Sequence, residues 1–213
     1  MAIQTQGTTG SVMEVDVTHK ASRVSLRPME VLAWQSLGAQ TGLITALAAG
    51  AAIFSFRNIS SNLIVLRRAG IGFLTTTAFT TAQQVDFGIM AARAFTASDT
   101  GGTAIALTGN NGKHRTSLAT LTSVDCRIAA AVALTAGTRT LDANTLAQQG
   151  GWAGGAGTTI PPAPENLLQQ AAGDYPLVLG QNEGFVIQVV TAMGAAGVGR
   201  AFVNLELAEV ASY

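Results

Sequence analysis

The chain has 213 residues, of which only 11% are charged, against about 25% in an ordinary soluble domain. Its 12 basic and 12 acidic residues give a formal net charge of zero, so the charge favours neither nucleic acid nor an anionic membrane as a partner. Because solubility usually benefits from a net charge away from zero, we expect neighbouring subunits to cover much of the surface; the alternative is a monomer solvated by its many Thr, Ser, Gln and Asn side chains.

Length, cysteine content and hydropathy exclude several further classes of protein. A chain of this size buries roughly 70% of its unfolded surface, so it needs no disulfide or metal to fold. The single Cys126 lies in VDCRI, which is typical of a strand, and we predict a small buried hydrophobe there instead of a reactive thiol. The most apolar run, residues 42–56, has 15 residues, short of the roughly 20 that a membrane-spanning helix needs. The N-terminus lacks the basic start and apolar core of a signal peptide, so we expect synthesis in the cytoplasm.

The first thirty residues are predicted to form an N-terminal arm that carries the first strands. Residues 1–11 are polar, and apolar and polar residues then alternate over 12–17 and 22–27, the period of a half-buried strand. The second of these strands stops at Pro28, which cannot donate to a sheet ladder. We expect a short turn over 30–37, and a single domain over 31–213.

Short apolar or alternating runs predict the strands of this domain. They are residues 53–58, 63–72, 84–95, 103–108, 124–131, 184–190 and 201–210. In the third run, Val85, Phe87, Ile89 and Ala91 share one face. In the last run, the face with Val203, Leu205 and Leu207 is apolar.

Glycine and proline mark the connections between these strands. GAAGVG, residues 194–199, is predicted to be a hairpin loop between the last two strands, and QGGWAGGAGTTIPPAP, residues 149–164, a surface loop. Trp152 within that loop is expected to anchor against a neighbour or the body of the domain. Pro164 could start a short helix over 165–171. The pattern as a whole predicts an all-β fold, an antiparallel β-sandwich of the jelly-roll type with an extended N-terminal arm.

One stretch, FTASDTGGTAIALTGNNGKHR over residues 95–115, combines several motifs that resemble catalytic or phosphate-binding loops. It is not a phosphate loop, because the Walker pattern needs four residues between its glycines, whereas Gly109 and Gly112 are separated by two. Asn111-Gly112 is instead a strong signal for a tight turn.

Asp99-Thr100-Gly101 in the same stretch matches the catalytic loop of retropepsins, in which two carboxylates share one proton. The segment 178–180, Val-Leu-Gly, follows in the order that those proteases require. However, Thr96, Ala97 and Ser98 precede the aspartate where a buried apolar strand should lead directly into it. Asp-Thr-Gly-Gly between two strands is common turn chemistry, which we favour.

The remaining candidate groups give no further catalytic or metal site. His19 and His114 lie far apart in the sequence, and neither belongs to a cluster with metal-ligand spacing. The chain has no GxSxG nucleophile elbow. Arg67-Arg68 lies in an apolar strand, where a salt bridge to Asp86 or a subunit contact is favoured over nucleic-acid binding. We therefore predict a protein that is not an enzyme and has no cofactor or metal.

Several segments together resemble a family of tailed-bacteriophage virion proteins, and they cover nearly the whole chain. They are EVD...HKASRVSLRPMEVLAWQSL followed by FSFRN (14–58), RAFTASDTGGTAIALTGNNGKHRTS (93–117), LTAGTRTLD (134–142), and LVLGQNEGFVIQ followed by AEV (177–210). The resemblance implies a β-sandwich subunit of the virion that is made in the host cytoplasm. It would act as a capsid cement or decoration protein that binds the major capsid protein and stabilises the head.

Partners follow from the same resemblance. We expect a homo-oligomer, dimer or trimer, bound to the major capsid protein, with no membrane and no direct nucleic-acid contact. Lys113, His114 and Arg115 would offer a basic tip to an acidic neighbour, and Trp152 is the other candidate contact.

Three alternatives remain open at this level. A neck, tail or head-fibre component of the same virion would share the fold. A retropepsin-like protease would use Asp99. A carbohydrate-binding sandwich would need exposed aromatic side chains, for which Trp34, Trp152, Tyr175 and Tyr213 are the candidates.

Overall fold

The computed structural model describes residues 15–16, 21–22, 31–109, 112–154, 159–160, 166–169 and 176–211. All regular structure in these residues is β-strand. The strands are β1 (Val15–Asp16), β2 (Ala21–Ser22), β3 (Val31–Gln40), β4 (Ala52–Asn58), β5 (Leu63–Thr77), β6 (Gln83–Ala97), β7 (Thr103–Ala104), β8 (Val124–Ile128), β9 (Thr138–Leu141), β10 (Ala147–Ala153), β11 (Thr159–Ile160), β12 (Asn166–Gln169), β13 (Leu177–Leu179), β14 (Gly184–Val189) and β15 (Val198–Val210).

The domain consists of two antiparallel sheets. The six-stranded sheet has the order β11–β5–β15–β3, and β12 and β13 pair with β5 on the same side as β11. The seven-stranded sheet has the order β10–β6–β14–β4–β8–β7, and β9 also pairs with β6. Strands β1 and β2 pair separately with each other.

The connectivity of the sheets is that of a jelly roll. From β3 to β6 every connection crosses from one sheet to the other, and the same is true from β13 through β14 to β15. If the broken strands β9–β10 and β11–β13 each count as one, four strands form each sheet in jelly-roll order, and β7 and β8 extend one edge. The predicted antiparallel β-sandwich of the jelly-roll type is therefore confirmed.

The core lies between the two sheets and is rich in phenylalanine. Phe185 of β14 stacks against Phe56 and Phe54 of β4, with ring centroids 5.4 and 6.0 Å apart, respectively. Phe73 of the six-stranded sheet meets Phe87 of the seven-stranded sheet at 6.0 Å. Because side chains alternate along a strand, each inward-facing aromatic ring fixes the orientation of the residues beside it.

A second, smaller apolar layer covers the outer face of the seven-stranded sheet. Met90 and Val186 point away from the main core and pack with Ala52, Leu134 and the half-buried Leu141. The segment that carries Leu134 is attached to the sheet by a backbone hydrogen bond to the Ala52 carbonyl of 2.9 Å. This outer layer explains why β6 is buried on both faces over much of its length.

Two predicted local structures are wrong because distant pairing decides them. Residues 30–37 were expected to turn, but Val31–Gln40 is strand β3, which pairs with β15 along most of its length. The helix expected over 165–171 is also wrong where it is described, since Asn166–Gln169 is strand β12 on β5. Such strand formation depends on packing partners that local sequence does not show.

The connection over 194–199 is not a hairpin loop. Strand β14 pairs with β4 and β6, whereas β15 pairs with β3 and β5, so the segment crosses between sheets. Gly197 and Gly199 lie directly against the rings of Phe79 and Phe73, where a Cβ atom would overlap the rings. The glycines therefore allow the chain to pass closely over the end of the core.

The predicted surface loop at 149–164 begins inside a strand. Residues 147–153 form β10 and pair with β6, and Ala153 is fully buried. Gly150 lies opposite Asp86, and a Cβ atom there would stand 2.7 Å from the Asp86 Cβ, so the glycine fits a crowded position in the sheet. Of the remainder, 159–160 are strand β11 and the rest after 154 lies outside the described residues.

Most of the predicted N-terminal arm also lies outside the described residues. The predicted strands at 12–17 and 22–27 are described only at 15–16 and 22, where the chain forms part of the β1–β2 pair. The other predicted strands agree with β4, β5, β6, β8, β14 and β15 within a few residues, except that 103–108 is strand only at Thr103–Ala104.

We expect Phe185→Ala to destabilise the fold by about 3–5 kcal/mol, because it removes a buried ring between two others and leaves a cavity. Urea denaturation followed by far-UV circular dichroism would measure the change. Val132→Ala is the control, since this side chain is 70% exposed and its removal should change stability by less than about 0.5 kcal/mol. Equal effects of the two substitutions would contradict the assigned core.

Candidate functional site

Asp99, the aspartate of the Asp-Thr-Gly motif, is a buried structural anchor. Its Oδ1 accepts a hydrogen bond of 2.9 Å from the Gly137 N–H, and its Oδ2 forms an ion pair with Arg139. The side chain of Asp99 is fully buried and that of Arg139 is 7% exposed. Burial lowers the pKa of Arg139, but a guanidinium remains protonated at any ordinary pH, so the pair stays ionised.

This arrangement differs from the paired carboxylates of an aspartic protease, which share a proton across a solvated cleft. The described contacts of Asp99 are a guanidinium and a backbone amide, and neither is an acid. Leu179 of the 178–180 segment lies in β13 of the six-stranded sheet, whereas Asp99 follows β6 of the seven-stranded sheet. The motif thus joins the turn after β6 to the start of β9.

The three basic residues predicted to form a protruding tip lie beside the edge of the six-stranded sheet. The Lys113 ammonium donates to the Leu118 carbonyl at 2.7 Å, which closes its own loop. The His114 backbone N–H donates to the Trp34 carbonyl of β3 at 3.0 Å. His114 and Arg115 are both exposed, whereas Lys113 is half-buried.

The segment that contains these residues covers the outer edge of β3. Gly112 accepts from the Ser36 N–H at 2.8 Å, and the Ala119 N–H donates to the Leu32 carbonyl at 3.0 Å. Gly112 has a φ of 65°, and a Cβ atom there would collide with the Ser36 carbonyl. Gly112 of the predicted Asn111-Gly112 turn thus lies against β3, and Asn111 is outside the described residues.

A buried glutamine of β3, Gln35, holds the chain that follows this covering segment. The side-chain oxygen of Gln35 accepts a hydrogen bond from the Leu121 N–H at 2.6 Å, and its amide nitrogen lies 3.4 Å from the Leu107 carbonyl. Gln35 is 1% exposed. The sequence offered no signal for this role, because its partners lie more than 70 residues away.

Trp34 forms the centre of a cluster on the outer face of the six-stranded sheet. His114 stacks on its ring at 4.7 Å, and the Arg67 guanidinium lies 4.7 Å from the ring centroid. The indole N–H donates to Glu206 at 2.9 Å, and Arg67 forms an ion pair of 3.6 Å with the same carboxylate. Arg67 therefore pairs with Glu206, and not with Asp86, which was one of the two contacts that the sequence favoured for Arg67-Arg68.

Ser36 and His114 share a hydrogen bond of 2.6 Å between Oγ and Nε2, within the range of a nucleophile and its base. Both residues are exposed, and the other described contacts of His114 are with Trp34. A catalytic serine also requires a group that orients the base and donors for the oxyanion, and these contacts provide neither. The pair is best understood as part of the contact between the covering segment and β3.

Trp152 lies on β10, at the opposite edge of the sandwich from β7. Its side chain is 70% exposed, and that of Leu146, in the bend before β10, is 41% exposed. The ring of Trp34, in contrast, has His114 and Arg67 against it. Of the aromatic residues proposed for carbohydrate stacking, Trp152 therefore has an open ring, and Tyr175 and Tyr213 are outside the described residues.

Most of the charged side chains in the described part of the chain are bound to other groups of the same chain. Besides the pairs already named, Arg93 binds Asp142 at 3.1 Å and Arg127 binds Asp125 at 3.5 Å. Asp86 accepts hydrogen bonds from the backbone and side chain of Thr191 and from the amide of Gln148, and Glu209 accepts from Ser60 and Asn62. These contacts reduce the charge that the surface presents to a partner.

Cys126 is buried, as predicted, and lies in the core between the sheets. Burial and the neighbouring Asp125 both raise the pKa of its thiol, so it stays protonated and unreactive. Within the described ranges, no group of three or more His, Cys, Asp or Glu side chains could hold a metal ion. In the same part of the chain, no helix has the length and apolar character needed to cross a membrane.

No family model matches the chain, and neither does any curated protein. Among solved structures, it has a weak likeness to a chain in the structure of infectious bursal disease virus Gx strain, with 17% sequence identity and a TM-score of 0.15. The likeness covers 98% of this chain and 51% of the other, so this chain spans about half the length of the structure that it matches. A TM-score this low carries no argument about function.

Removal of one partner of the buried Asp99–Arg139 pair should cost about 3–5 kcal/mol of stability, because the other charge is left buried and unpaired. The double substitution Asp99→Leu with Arg139→Met should recover much of this loss, since no buried charge remains. Thermal and urea denaturation of Asp99→Ala, Arg139→Ala and the double variant would measure both effects. Asp142→Ala is the control, because its ion pair with Arg93 is exposed and should contribute about 1 kcal/mol or less.

Gln35→Leu should loosen the segment that covers β3, because the buried Leu121 N–H loses its acceptor at a cost of about 1–3 kcal/mol. Relative to the wild type, hydrogen exchange should then speed up more at the Leu121 amide than at amides in β5 and β14. The exposed Gln40 on the same strand offers a matched control, and Gln40→Leu should leave that exchange unchanged. Unaltered exchange at Leu121 in Gln35→Leu would show that the glutamine does not hold the segment.

Proposed function

We propose that this chain is a non-enzymatic structural protein of a tailed-phage virion, a cement or decoration protein that binds the major capsid protein and stabilises the head. The observation that carries the proposal is a jelly-roll sandwich in which most described charges are bound internally. Jelly rolls are common in viral capsid and lectin domains. The proposal also rests on the resemblance of the sequence segments described above to phage virion proteins.

The distribution of charge supports a role in a lattice of contacts. Charged groups are costly to bury without partners. Covering a surface that has few free charges therefore costs little desolvation energy. The formal net charge of zero also removes repulsion between copies packed closely together. Contacts that are individually weak gain strength when many copies bind one particle.

The anchored loops support the same role. The turn after β6 is held by the buried Asp99–Arg139 pair, and the segment beside β3 is held by Gln35. Rigid loops lose little conformational entropy on binding, which favours docking of a preformed surface. In this proposal Asp99 has a structural role, and the virion carries no proteolytic activity from this chain.

Quantitative mass spectrometry of purified particles would test the proposal, with the major capsid protein as the internal standard. A cement protein should be present in hundreds of copies, near a simple ratio to the shell subunit, because it binds wherever shell subunits meet. Roughly six, twelve or a few dozen copies would instead indicate a neck, tail or head-fibre component on a symmetry axis. Absence from the particle would contradict the virion role.

A further inference from the structure

We propose that one end of the sandwich, formed by residues 41–51, 78–82, 129–134 and 190–197, is the surface through which this chain docks on the particle, and that its partner there is an uncharged protein surface. We call this surface the uncharged end. This assignment rests on the virion role proposed above and deepens it, since it gives the docking face and the chemistry of what covers it.

Four connections between strands meet at the uncharged end: β3–β4, β5–β6, the first part of β8–β9, and β14–β15. The Gly42 N–H donates to the Ala129 carbonyl at 3.2 Å, which joins the first connection to the third. The Thr45 hydroxyl donates to the Gly197 carbonyl at 2.7 Å, which joins the first to the fourth. Gly197 also lies directly against the ring of Phe79 in the β5–β6 connection. The four segments therefore form one continuous surface.

The uncharged end is apolar as well as free of charge. None of its four segments contains an Asp, Glu, Lys or Arg residue. Leu43 is 45% exposed and Val132 is 70% exposed. The other exposed residues of these segments are alanine or threonine, apart from Gly50. Exposed apolar patches of this kind mark sites of interaction with other molecules.

The opposite end of the sandwich has a different composition. The turn after β6 contains Asp99, and the turn before β14 contains Glu183. Arg57, near the end of β4, donates to Ser98 of the first turn at 3.1 Å and to Asn182 of the second at 2.7 Å. Ionised side chains thus connect the turns at one end of the molecule, whereas the connections at the other end contain none.

The chemistry of the uncharged end limits what can cover it. A partner that placed a charge here would leave that charge buried without a counter-charge, which is costly. Nucleic acid needs basic side chains for its phosphates, and segments that lie on a membrane are usually rich in Lys or Arg. Phe79, the one aromatic residue of the four segments, is 6% exposed, so its ring is not open for stacking on a sugar. An uncharged protein surface is the class of partner that fits.

Buried side chains hold the uncharged end in a preformed shape. Each of its segments places at least one apolar side chain in the interior, with 6% exposure or less: Ile44, Leu47, Phe79, Leu134 and Met193. The exposed alanine side chains have no rotamer freedom to lose, and threonine and valine are stiff because they branch at Cβ. Docking of this surface therefore costs little conformational entropy.

Binding of the purified full chain to particles assembled without it tests the proposal. Leu43→Glu, Val132→Glu and Val132→Lys should each weaken binding at least about tenfold, because a charge of either sign would be buried without a partner. Ile59→Glu and Ile59→Lys are the matched controls and should bind like the wild type. Ile59 is 41% exposed and follows β4 at the opposite end, whereas Leu43 precedes β4. Circular dichroism would verify that all variants fold.

The outcomes separate the docking face from the virion role. Wild-type binding with equal binding of the Leu43 and Val132 variants, or with equal losses in the Ile59 variants, would overturn the docking face and leave the cement role standing. Failure of the wild type to bind would overturn the cement role and the docking face together.

Salt dependence provides a second test that does not need the variants. Because an interface without ion pairs is little affected by screening, the wild-type affinity for particles should change less than about twofold between about 50 and 500 mM NaCl. A loss of about tenfold would indicate an ionic interface and overturn the proposal. Light scattering on the isolated chain tests for a second copy as the occupant. Self-association that Val132→Lys abolishes would assign the uncharged end to contacts between copies and overturn the stated partner.

Discussion

Phenylalanine side chains from both sheets meet in the interior of the sandwich, and their burial determines which face of each strand points inward. Phe73 and Phe87 pack against each other between the two sheets, while Phe185 stacks on Phe54 and Phe56 within the seven-stranded sheet. Strands alternate with a period of two, so a slip of one residue would expose every ring that the core now holds. The register of the long central strands follows from this constraint.

The buried polar side chains lie where the chain leaves the sheets that form the core. Where the chain must leave the sheets near the core, buried polar side chains satisfy the backbone: Asp99 binds the Gly137 N–H, and Gln35 binds the Leu121 N–H. A buried group without such a partner would cost several kcal/mol. The motif that looked most like chemistry in the sequence is thus explained by hydrogen-bond satisfaction at the end of a strand. The described ionised groups have a similar role, since most of them bind loops and strands together.

The sequence was informative where burial alone decides the structure. The alternation of Val85, Phe87 and Ile89 predicted β6 and its inward face, and all three residues are buried as expected. It failed where a partner distant in the chain decides. β3 depends on pairing with β15, and the glycines of β10 read as a loop although Gly150 fits closely beside Asp86. For the candidate site, the burial of Cys126 was predictable, but the ion pair between Asp99 and Arg139 joins residues 40 positions apart and no local pattern marks it.

The edges of the two sheets follow from the same architecture. A jelly roll leaves four sheet edges, and three of them here are covered, divided or very short within the described part of the chain. Such protection requires a covering segment or broken strands. Strand β10 differs from these edges, because it is a long neutral strand with the exposed Trp152. Fold and composition are therefore linked through one property, the binding of ionised groups within the chain.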